Sequence, residues 1–167
     1  FTPMKGPLFY SKILLFGEYG IIKDSKGLSI PYSFYKGALK TDQDPNHSAI
    51  ESNLNLKKFI QYLATLAASL VTFNSDQLQK DVNEGMYFDS SIPQGYGVGS
   101  SGALVAAIYD KYANDKITVL ENLTREKLLK LKAVFSEMES FFHGKSSGLD
   151  PLNSYLSIPI LINSQDN

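Results

Sequence analysis

A glycine- and serine-rich run from Pro93 to Ala103 offers the clearest chemistry in this chain. Alternating glycines allow positive φ angles and a close approach of the backbone to a ligand; they are Gly95, Gly97 and Gly99. The pattern predicts a strand before the run and a helix from Ser100 onwards, whose first N–H groups and dipole would attract an anion. The hydroxyls of Ser100 and Ser101 suit a phosphate or a magnesium ion. The run therefore predicts an anion site, with a serine-capped tight turn as the simpler alternative.

The same run also fits a dinucleotide-binding motif. Residues Gly97–Gly102 read G-x-G-x-x-G, and Glu121 follows at about the spacing, roughly 20 residues, of the acid that binds a ribose. Against this reading, Pro93–Tyr96 lengthens the turn, and the predicted second strand is short and starts beside the charged pair Asp115–Lys116. An NAD-binding oxidoreductase domain using Gly97, Gly99 and Gly102 stays open as a rival. The spacing of a Walker A phosphate loop is absent.

An acidic residue, Glu139, is predicted to lie at the edge of an apolar helical stripe. It falls between Phe135 and Phe142, at the four- and three-residue spacings that share a helix face. A carboxylate beside a buried face needs a cation, a metal ion or a hydrogen-bond donor. An ion pair with a lysine such as Lys132 is the simpler interpretation, and a functional carboxylate is the alternative.

Two further charged residues stand where chemistry is possible. Asp150 follows the polar loop His143–Gly148 and precedes a proline, so it could cap a short helix or take part in a reaction. His143 is predicted to end its helix rather than to act as a general base. Lys12 interrupts an apolar strand, and its ammonium group would either reach solvent or face an anion.

Composition limits the classes of protein. The chain has 167 residues, 43% hydrophobic and 20% charged, which predicts one folded domain and excludes a disordered chain. A net charge of -1 gives no electrostatic case for nucleic acid or an anionic membrane. Because there are no cysteines and only two histidines, disulfides, a thiol nucleophile and a transition-metal site are not expected, and the cytoplasm is the expected location. A magnesium site built from oxygen ligands remains feasible.

Hydrophobic periodicity predicts alternating strands and helices in a mixed α/β chain. Strands are expected over 8–16, 21–22, 28–30, 86–92, 117–120 and 158–162. Helices are expected from Ser48 (capped with Glu51) to about Leu70, then over 76–83 and 100–112, and over 124–142 with Thr124 as its cap. A helical turn is expected over 152–155. A turn is expected over 24–27 and a loop over 41–47.

Three of these segments together resemble the GHMP kinase superfamily, and within it the mevalonate kinases. The glycine-rich run is similar to the phosphate-binding motif P-x-x-x-G-L-x-S-S-A of that family. Residues Lys12–Tyr19 resemble the motif K-x-x-L-F-G-E-H. Glu139 together with His143–Asp150 is similar to the run E-x-x-x-H-G-x-x-S-G-x-D. The order and the internal spacing of the three motifs make the resemblance specific, and it spans nearly the whole chain.

The chain departs from the family pattern at several positions. Val98 replaces a leucine, and Gly102 stands where the family mostly has alanine, which we expect to loosen the start of the helix. Tyr19 replaces histidine, and Lys145–Ser146 replaces the usual Asn-Pro. The last two departures lie near the expected acceptor pocket and therefore bear on the substrate more than on the kinase assignment.

The resemblance implies an α/β fold of the α+β two-layer type, namely the ribosomal protein S5 domain 2-like N-terminal domain of a GHMP kinase, with a mixed sheet packed against helices. Residues 1–167 would form this ATP-binding domain. Family members continue into a C-terminal GHMP domain that is absent from this chain, so we expect a shortened kinase that is inactive, or nearly so, by itself.

The resemblance also assigns roles to individual residues. Asp150 would be the catalytic base, with Lys12 beside it and the transferring phosphate. Ser101 and Glu139 would bind Mg²⁺. The substrate would contact four residues, Glu18, Tyr19, His143 and Ser147. ATP would lie along the glycine-rich run, at Pro93, Gly95, Gly97, Val98, Gly99, Ser100, Ser101 and Gly102.

The function that this resemblance implies is transfer of the γ-phosphoryl group of ATP to an alcohol, with mevalonate as the favoured acceptor and 5-phosphomevalonate, an intermediate of isoprenoid biosynthesis, as the product. Phosphomevalonate or a sugar is the alternative acceptor within the same superfamily. Outside it, the rivals are the NAD-binding oxidoreductase domain and a non-catalytic nucleotide-binding fragment. No nucleic-acid or membrane partner is expected.

Overall fold

The computed structural model describes residues 9–16, 26–91, 100–118, 123–156 and 160–163, and for 10–16, 26–36 and 160–163 it describes the backbone alone. Four strands and five helices follow one another along these residues: β1 Phe9–Phe16, β2 Lys26–Lys40, α1 His47–Leu63, α2 Ser75–Asn83, β3 Tyr87–Ser90, α3 Ser100–Tyr112, α4 Arg125–His143, α5 Leu149–Leu156 and β4 Ile160–Asn163. The predicted α/β domain with a sheet packed against helices is confirmed.

Strand β2 organises the sheet, because every other described strand pairs with it in antiparallel fashion. Its residue Gly37 pairs with Phe9 of β1 and also with Ser90 of β3, so these two strands lie on opposite edges of β2. Likewise Leu28 pairs with both β1 and β4, so β4 lies on the same edge of β2 as β3 but at the opposite end of that strand. The sequence predicted only a short strand here. Lys26 and Gly27, expected in a turn, belong to β2.

The N-cap of helix α1 lies two residues earlier than predicted. It is Asn46, whose Oδ1 accepts a hydrogen bond from the backbone N–H of Ala49 at 2.8 Å, so the expected capping box of Ser48 with Glu51 is wrong. An asparagine side-chain carbonyl is as good a cap as a serine hydroxyl, so Asn46 can begin the helix ahead of Ser48. The helix ends at Leu63, short of the predicted Leu70.

Most other predicted elements lie close to their expected bounds, but the strand expected over 21–22 lies outside the described residues, and the helical turn expected over 152–155 is part of the longer helix α5. Helix α3 runs from Ser100 to Tyr112 as predicted, and Thr124 caps α4. The expected strand over 117–120 is not formed at its described residues, Ile117 and Thr118. Instead, the backbone of Ile117 is held by two tyrosine hydroxyls: its N–H donates to Tyr109 Oη and its carbonyl accepts from Tyr155 Oη.

The core forms where α3, α4 and α5 pack against one another and against the sheet. Phe135 of α4 is fully buried, and its ring meets the edges of Tyr109 and Tyr155 at centroid distances of 5.0 and 5.5 Å. A second aromatic contact joins α1 to the end of α4, where Phe59 lies 5.1 Å from Phe142. These contacts fix the end of α4 that carries the candidate site.

No helix in the described part of the chain is both long enough and apolar enough to cross a membrane.

We expect Phe135→Ala to lower the free energy of unfolding by about 3–5 kcal/mol, because it empties the centre of the aromatic cluster. Leu129→Ala on the same helix is the control, since Leu129 is 41% exposed and its truncation should change stability by about 0.5 kcal/mol or less. Urea denaturation of both variants measures the difference. Equal losses would show that the cluster is not the core of this domain.

Candidate active site

The first turn of α3 supplies the candidate anion site. Helix α3 is thirteen residues long and starts at Ser100, so its free N–H groups and the positive end of its dipole lie at Ser100 and Ser101. Ser100 and Ser101 are half-buried, and Gly102 is fully buried. The residues predicted to bind ATP before this turn lie outside the described residues; they are Pro93, Gly95, Gly97, Val98 and Gly99.

Three side chains from two helices meet at Ser101. Its Oγ lies 3.0 Å from Oε2 of Glu139 and 2.8 Å from Nε2 of His143, both on the last turns of α4. An ionised carboxylate can only accept, so the hydroxyl donates to Glu139 and its oxygen accepts from the N–H of His143. The structure thus brings Ser101 and Glu139, predicted on separate motifs, into direct contact.

The second oxygen of the Glu139 carboxylate contacts the loop after α4. Ser146 Oγ donates to Oε1 of Glu139 and accepts from the backbone N–H of Gly148 at 3.1 Å. The carbonyl of Ser146 in turn accepts from Ser136 Oγ on α4. Sequence reasoning missed Ser146 as a site residue, although it had marked Ser146 as a departure from the family pattern.

Burial raises the pKa of Glu139 above its ordinary value, and the nearby negative charge of Asp150 raises it further. Hydrogen bonds from Ser146 and Ser101 and the charge of His143 oppose the shift. The side chain is only 3% exposed, and among the described side chains no lysine or arginine forms an ion pair with it. The expected ion pair with Lys132 is therefore wrong; serine hydroxyls and His143 take its place.

The residues present fit a magnesium ion. Mg²⁺ prefers oxygen ligands and commonly takes one or two carboxylates together with phosphates and water. Ser101 Oγ and Glu139 Oε2 are oxygens of that kind, and the buried carboxylate has no cation to balance it among the described lysines and arginines. Within the described ranges, no three His, Cys, Asp or Glu side chains form a metal-binding group, so bound phosphate would have to complete the shell.

Asp150 reaches the same place through a close helix contact. It is the second residue of α5 and half-buried, and α5 packs against α3. A Cβ atom added to Gly102 would lie 2.8 Å from the carbonyl carbon and Cβ of Asp150 and 2.9 Å from the nitrogen of Pro151. Gly102 thus has a packing role that the sequence did not indicate. It lets Asp150 approach the first turn of α3.

The loop that leads to Asp150 is held by a second glycine contact. Gly148 has φ +77°, and a Cβ there would lie 2.3 Å from the carbonyl oxygen of Lys132 and 2.8 Å from the nitrogen of Ser136. Ser147 is exposed, and its Oγ accepts from the N–H of Leu149 at 3.3 Å. Sequence reasoning named Ser147 as a substrate residue, and in this structure it supports the start of α5.

For the remaining predicted site residues the structure describes no side chain. Lys12 lies in β1, where it pairs with Pro31 of β2. Strand β1 runs beside α5, but only the backbone of Lys12 is described. Glu18 and Tyr19 lie outside the described residues, as does Glu121 of the dinucleotide motif. The antiparallel pairing of every described strand differs from the parallel unit that this motif requires.

Comparison with known proteins identifies the class. Residues 57–157 match the family described as GHMP kinases N terminal domain, so the chain belongs to this family. The matched range contains the Ser101, Glu139 and Asp150 cluster. No curated protein matches the chain.

Two solved structures share the fold. One is the mevalonate kinase of Methanococcus jannaschii, with 17% identity and a TM-score of 0.54 over 99% of this chain. The other is the L. major mevalonate kinase in complex with R-mevalonate, with 19% identity and a TM-score of 0.52 over 99% of this chain. The chain spans about half of their lengths, 55% and 52% respectively.

Two glycines with positive φ allow a matched test of the loop. We expect Gly148→Ala to destabilise the chain much more than Gly144→Ala. Both substitutions place an alanine in a left-handed backbone conformation, which costs about 1–2 kcal/mol of stability. Gly144 has open space around its Cβ position, whereas a Cβ at Gly148 would collide with the backbone of α4. Chemical denaturation measures both. Similar losses for the two variants would show that the contact of the loop with α4 is not tight.

We expect Glu139→Gln to raise the melting temperature of the metal-free chain at pH 7.5. A carboxyl whose pKa is raised by folding stabilises the fold only while protonated, so this contribution is lost as pH rises through the folded-state pKa. The advantage of the glutamine should shrink as pH falls toward 4. Glu137→Gln is the control, since Glu137 is exposed on the same helix. A Glu139→Gln chain less stable than the parent at pH 7.5 would contradict the shift.

Proposed function

We propose that this chain is the ATP-binding N-terminal domain of a kinase that transfers the γ-phosphoryl group of ATP to an alcohol. One observation carries the proposal: Ser101, which contacts Glu139, and Gly102, which lies against Asp150, are consecutive residues in the first turn of α3. Phosphoryl transfer needs charge neutralisation and in-line positioning, and this arrangement supplies groups for both.

The start of α3 and the glycine-rich run before it would hold the phosphates of ATP. Helix N–H groups bind phosphate oxygens directly, and a helix of thirteen residues adds a favourable dipole. Ser101 and Glu139 would hold a magnesium ion, which when bound neutralises charge on the β- and γ-phosphates. His143 donates to Ser101 and so orients the hydroxyl whose oxygen would face the metal.

Asp150 would act as the general base. The acceptor hydroxyl oxygen forms a bond to the γ-phosphorus, the bond from that phosphorus to the bridging oxygen of ADP breaks, and the hydroxyl proton passes to the Asp150 carboxylate. A positioned base of this kind contributes about 10²–10⁴-fold to the rate. Lys12 on the neighbouring strand β1 would keep Asp150 ionised and stabilise the transferring phosphate.

Mevalonate is the favoured acceptor, giving 5-phosphomevalonate for isoprenoid biosynthesis in the cytoplasm. The three motifs support this choice, and the two structures of similar fold are mevalonate kinases. Glu18, Tyr19, His143 and Ser147 would contact the acceptor. Tyr19 and Ser146 depart from the mevalonate kinase pattern, so phosphomevalonate or a sugar is the alternative.

A C-terminal GHMP domain would complete the enzyme. The chain covers only 55% and 52% of the two mevalonate kinases, which supports a site with one wall in a further domain. We therefore expect these 167 residues alone to bind Mg·ATP and to turn over little or no substrate. An ADP-release assay across a panel of alcohols, with mevalonate first, identifies the acceptor of the two-domain protein.

We expect Asp150→Asn in the two-domain protein to lower kcat by at least about 10²-fold while Mg·ATP still raises the melting temperature. Asp76→Asn is the matched control, because Asp76 also lies in the first turn of a helix but is exposed and belongs to α2 rather than to the cluster of Ser101, Glu139 and Asp150. The two measurements are coupled ADP release and thermal shift.

Three outcomes would contradict the proposal. Near-normal kcat in Asp150→Asn would remove the base assignment. Stabilisation of the parent chain by NAD but not by Mg·ATP would replace the kinase with the oxidoreductase reading, and binding of Mg·ATP without any turnover by the two-domain protein would leave a nucleotide-binding domain.

A further inference from the structure

The hydroxyl of Ser146 occupies a connecting position that the proposed function does not use. It donates to Oε1 of Glu139 and accepts from the N–H of Gly148. Gly148 is two residues before Asp150 in the chain. One hydroxyl therefore joins the candidate metal-binding carboxylate to the loop that carries the candidate base.

The two oxygens of Glu139 have separate partners. Oε1 contacts Ser146 and Oε2 contacts Ser101. With Oε1 engaged by Ser146, the carboxylate plane is fixed and Oε2 remains directed toward the first turn of α3. A carboxylate held in this way would offer one oxygen, rather than two, to a cation beside Ser101.

The position of Ser146 is itself well supported. Its carbonyl accepts from Ser136 Oγ, one helical turn before Glu139 on α4. Gly148 closes the loop against the backbone of the same helix, where a side chain would collide with Lys132 and Ser136. Helix α4 therefore holds the loop both at the carbonyl of Ser146 and at Gly148, and these two contacts place the Ser146 hydroxyl.

We infer that Ser146 is a positioning residue of the proposed metal site, which orients the Glu139 carboxylate and couples it to the Asp150 loop. The family pattern has proline at this position, and proline has no hydroxyl to donate. The hydrogen bond from Ser146 to Glu139 is therefore a feature of this chain that the family pattern lacks. The inference rests on the proposed function, because the carboxylate that Ser146 orients is the proposed Mg²⁺ ligand.

Mn²⁺ binding measured by electron paramagnetic resonance, in the presence of ATP, tests the inference without relying on turnover. Removing a residue that orients a metal ligand typically costs 10–100-fold in affinity, so we expect Ser146→Ala to weaken Mn²⁺ binding by about 10-fold or more. Ser146→Thr, which keeps the hydroxyl, should restore most of the affinity.

Ser140→Ala is the matched control. Ser140 follows Glu139 on the same helix, and its Oγ bonds to the carbonyl of Ser136 at 2.7 Å rather than to the carboxylate. We expect its Mn²⁺ affinity to equal that of the parent chain. Hydrogen exchange of the Gly148 amide adds a second readout. We expect this N–H to exchange faster in Ser146→Ala and at the parent rate in Ser140→Ala.

The outcomes separate the inference from the proposed function. Parent-like Mn²⁺ affinity in Ser146→Ala would overturn the inference and leave the kinase proposal intact. Failure of the parent chain to bind Mn²⁺ with ATP would overturn both. If Ser146→Ala does not fold, Ser146→Cys replaces it: the thiol is a weaker donor, so intermediate affinity supports the inference and full affinity contradicts it.

Discussion

The structure of the site depends on satisfying one buried carboxylate. Removing an ionised group from water costs several kcal/mol unless it is paired or hydrogen-bonded, and Glu139 is nearly fully buried. Here the carboxylate is met by the hydroxyls of Ser101 and Ser146, from two different segments of the chain, rather than by a lysine or arginine among the described side chains. Its pKa stays raised in spite of these bonds. Such a carboxylate is tolerated in the folded chain because it is hydrogen-bonded, and a bound cation would stabilise its charge further. Both properties suit a metal ligand.

Two close backbone approaches make that arrangement possible. At Gly102 the first turn of α3 touches the backbone of Asp150, and at Gly148 the loop touches the backbone of α4. A side chain at either position would push α5 away from the other two helices. The packing that fixes these contacts is aromatic and lies below the site, around Phe135. Core packing, loop geometry and the placement of the candidate base are thus parts of one structural constraint.

Local patterns in the sequence predicted the parts of the fold that depend on local physics. Helix α3 and the cap of α4 at Thr124 follow from residue periodicity and capping chemistry, and both are confirmed. The length of β2 could not be predicted, because three other strands determine it. The anion site at the start of α3 was expected from the glycine-rich run, but Glu139 was assigned to it only through resemblance, because spacing alone favoured an ion pair of Glu139 with Lys132. The role of Ser146 depends on how a loop folds back on α4, which no helical or strand period encodes.

The most direct test of this account is a crystal structure of the chain with magnesium and a non-hydrolysable ATP analogue. The account predicts a metal ion about 2.1 Å from Oε2 of Glu139 and from Oγ of Ser101, with the γ-phosphate between that ion and the Asp150 carboxylate. A metal held by the phosphates alone, with Glu139 still bonded to both serines and Asp150 turned away from the nucleotide, would contradict it.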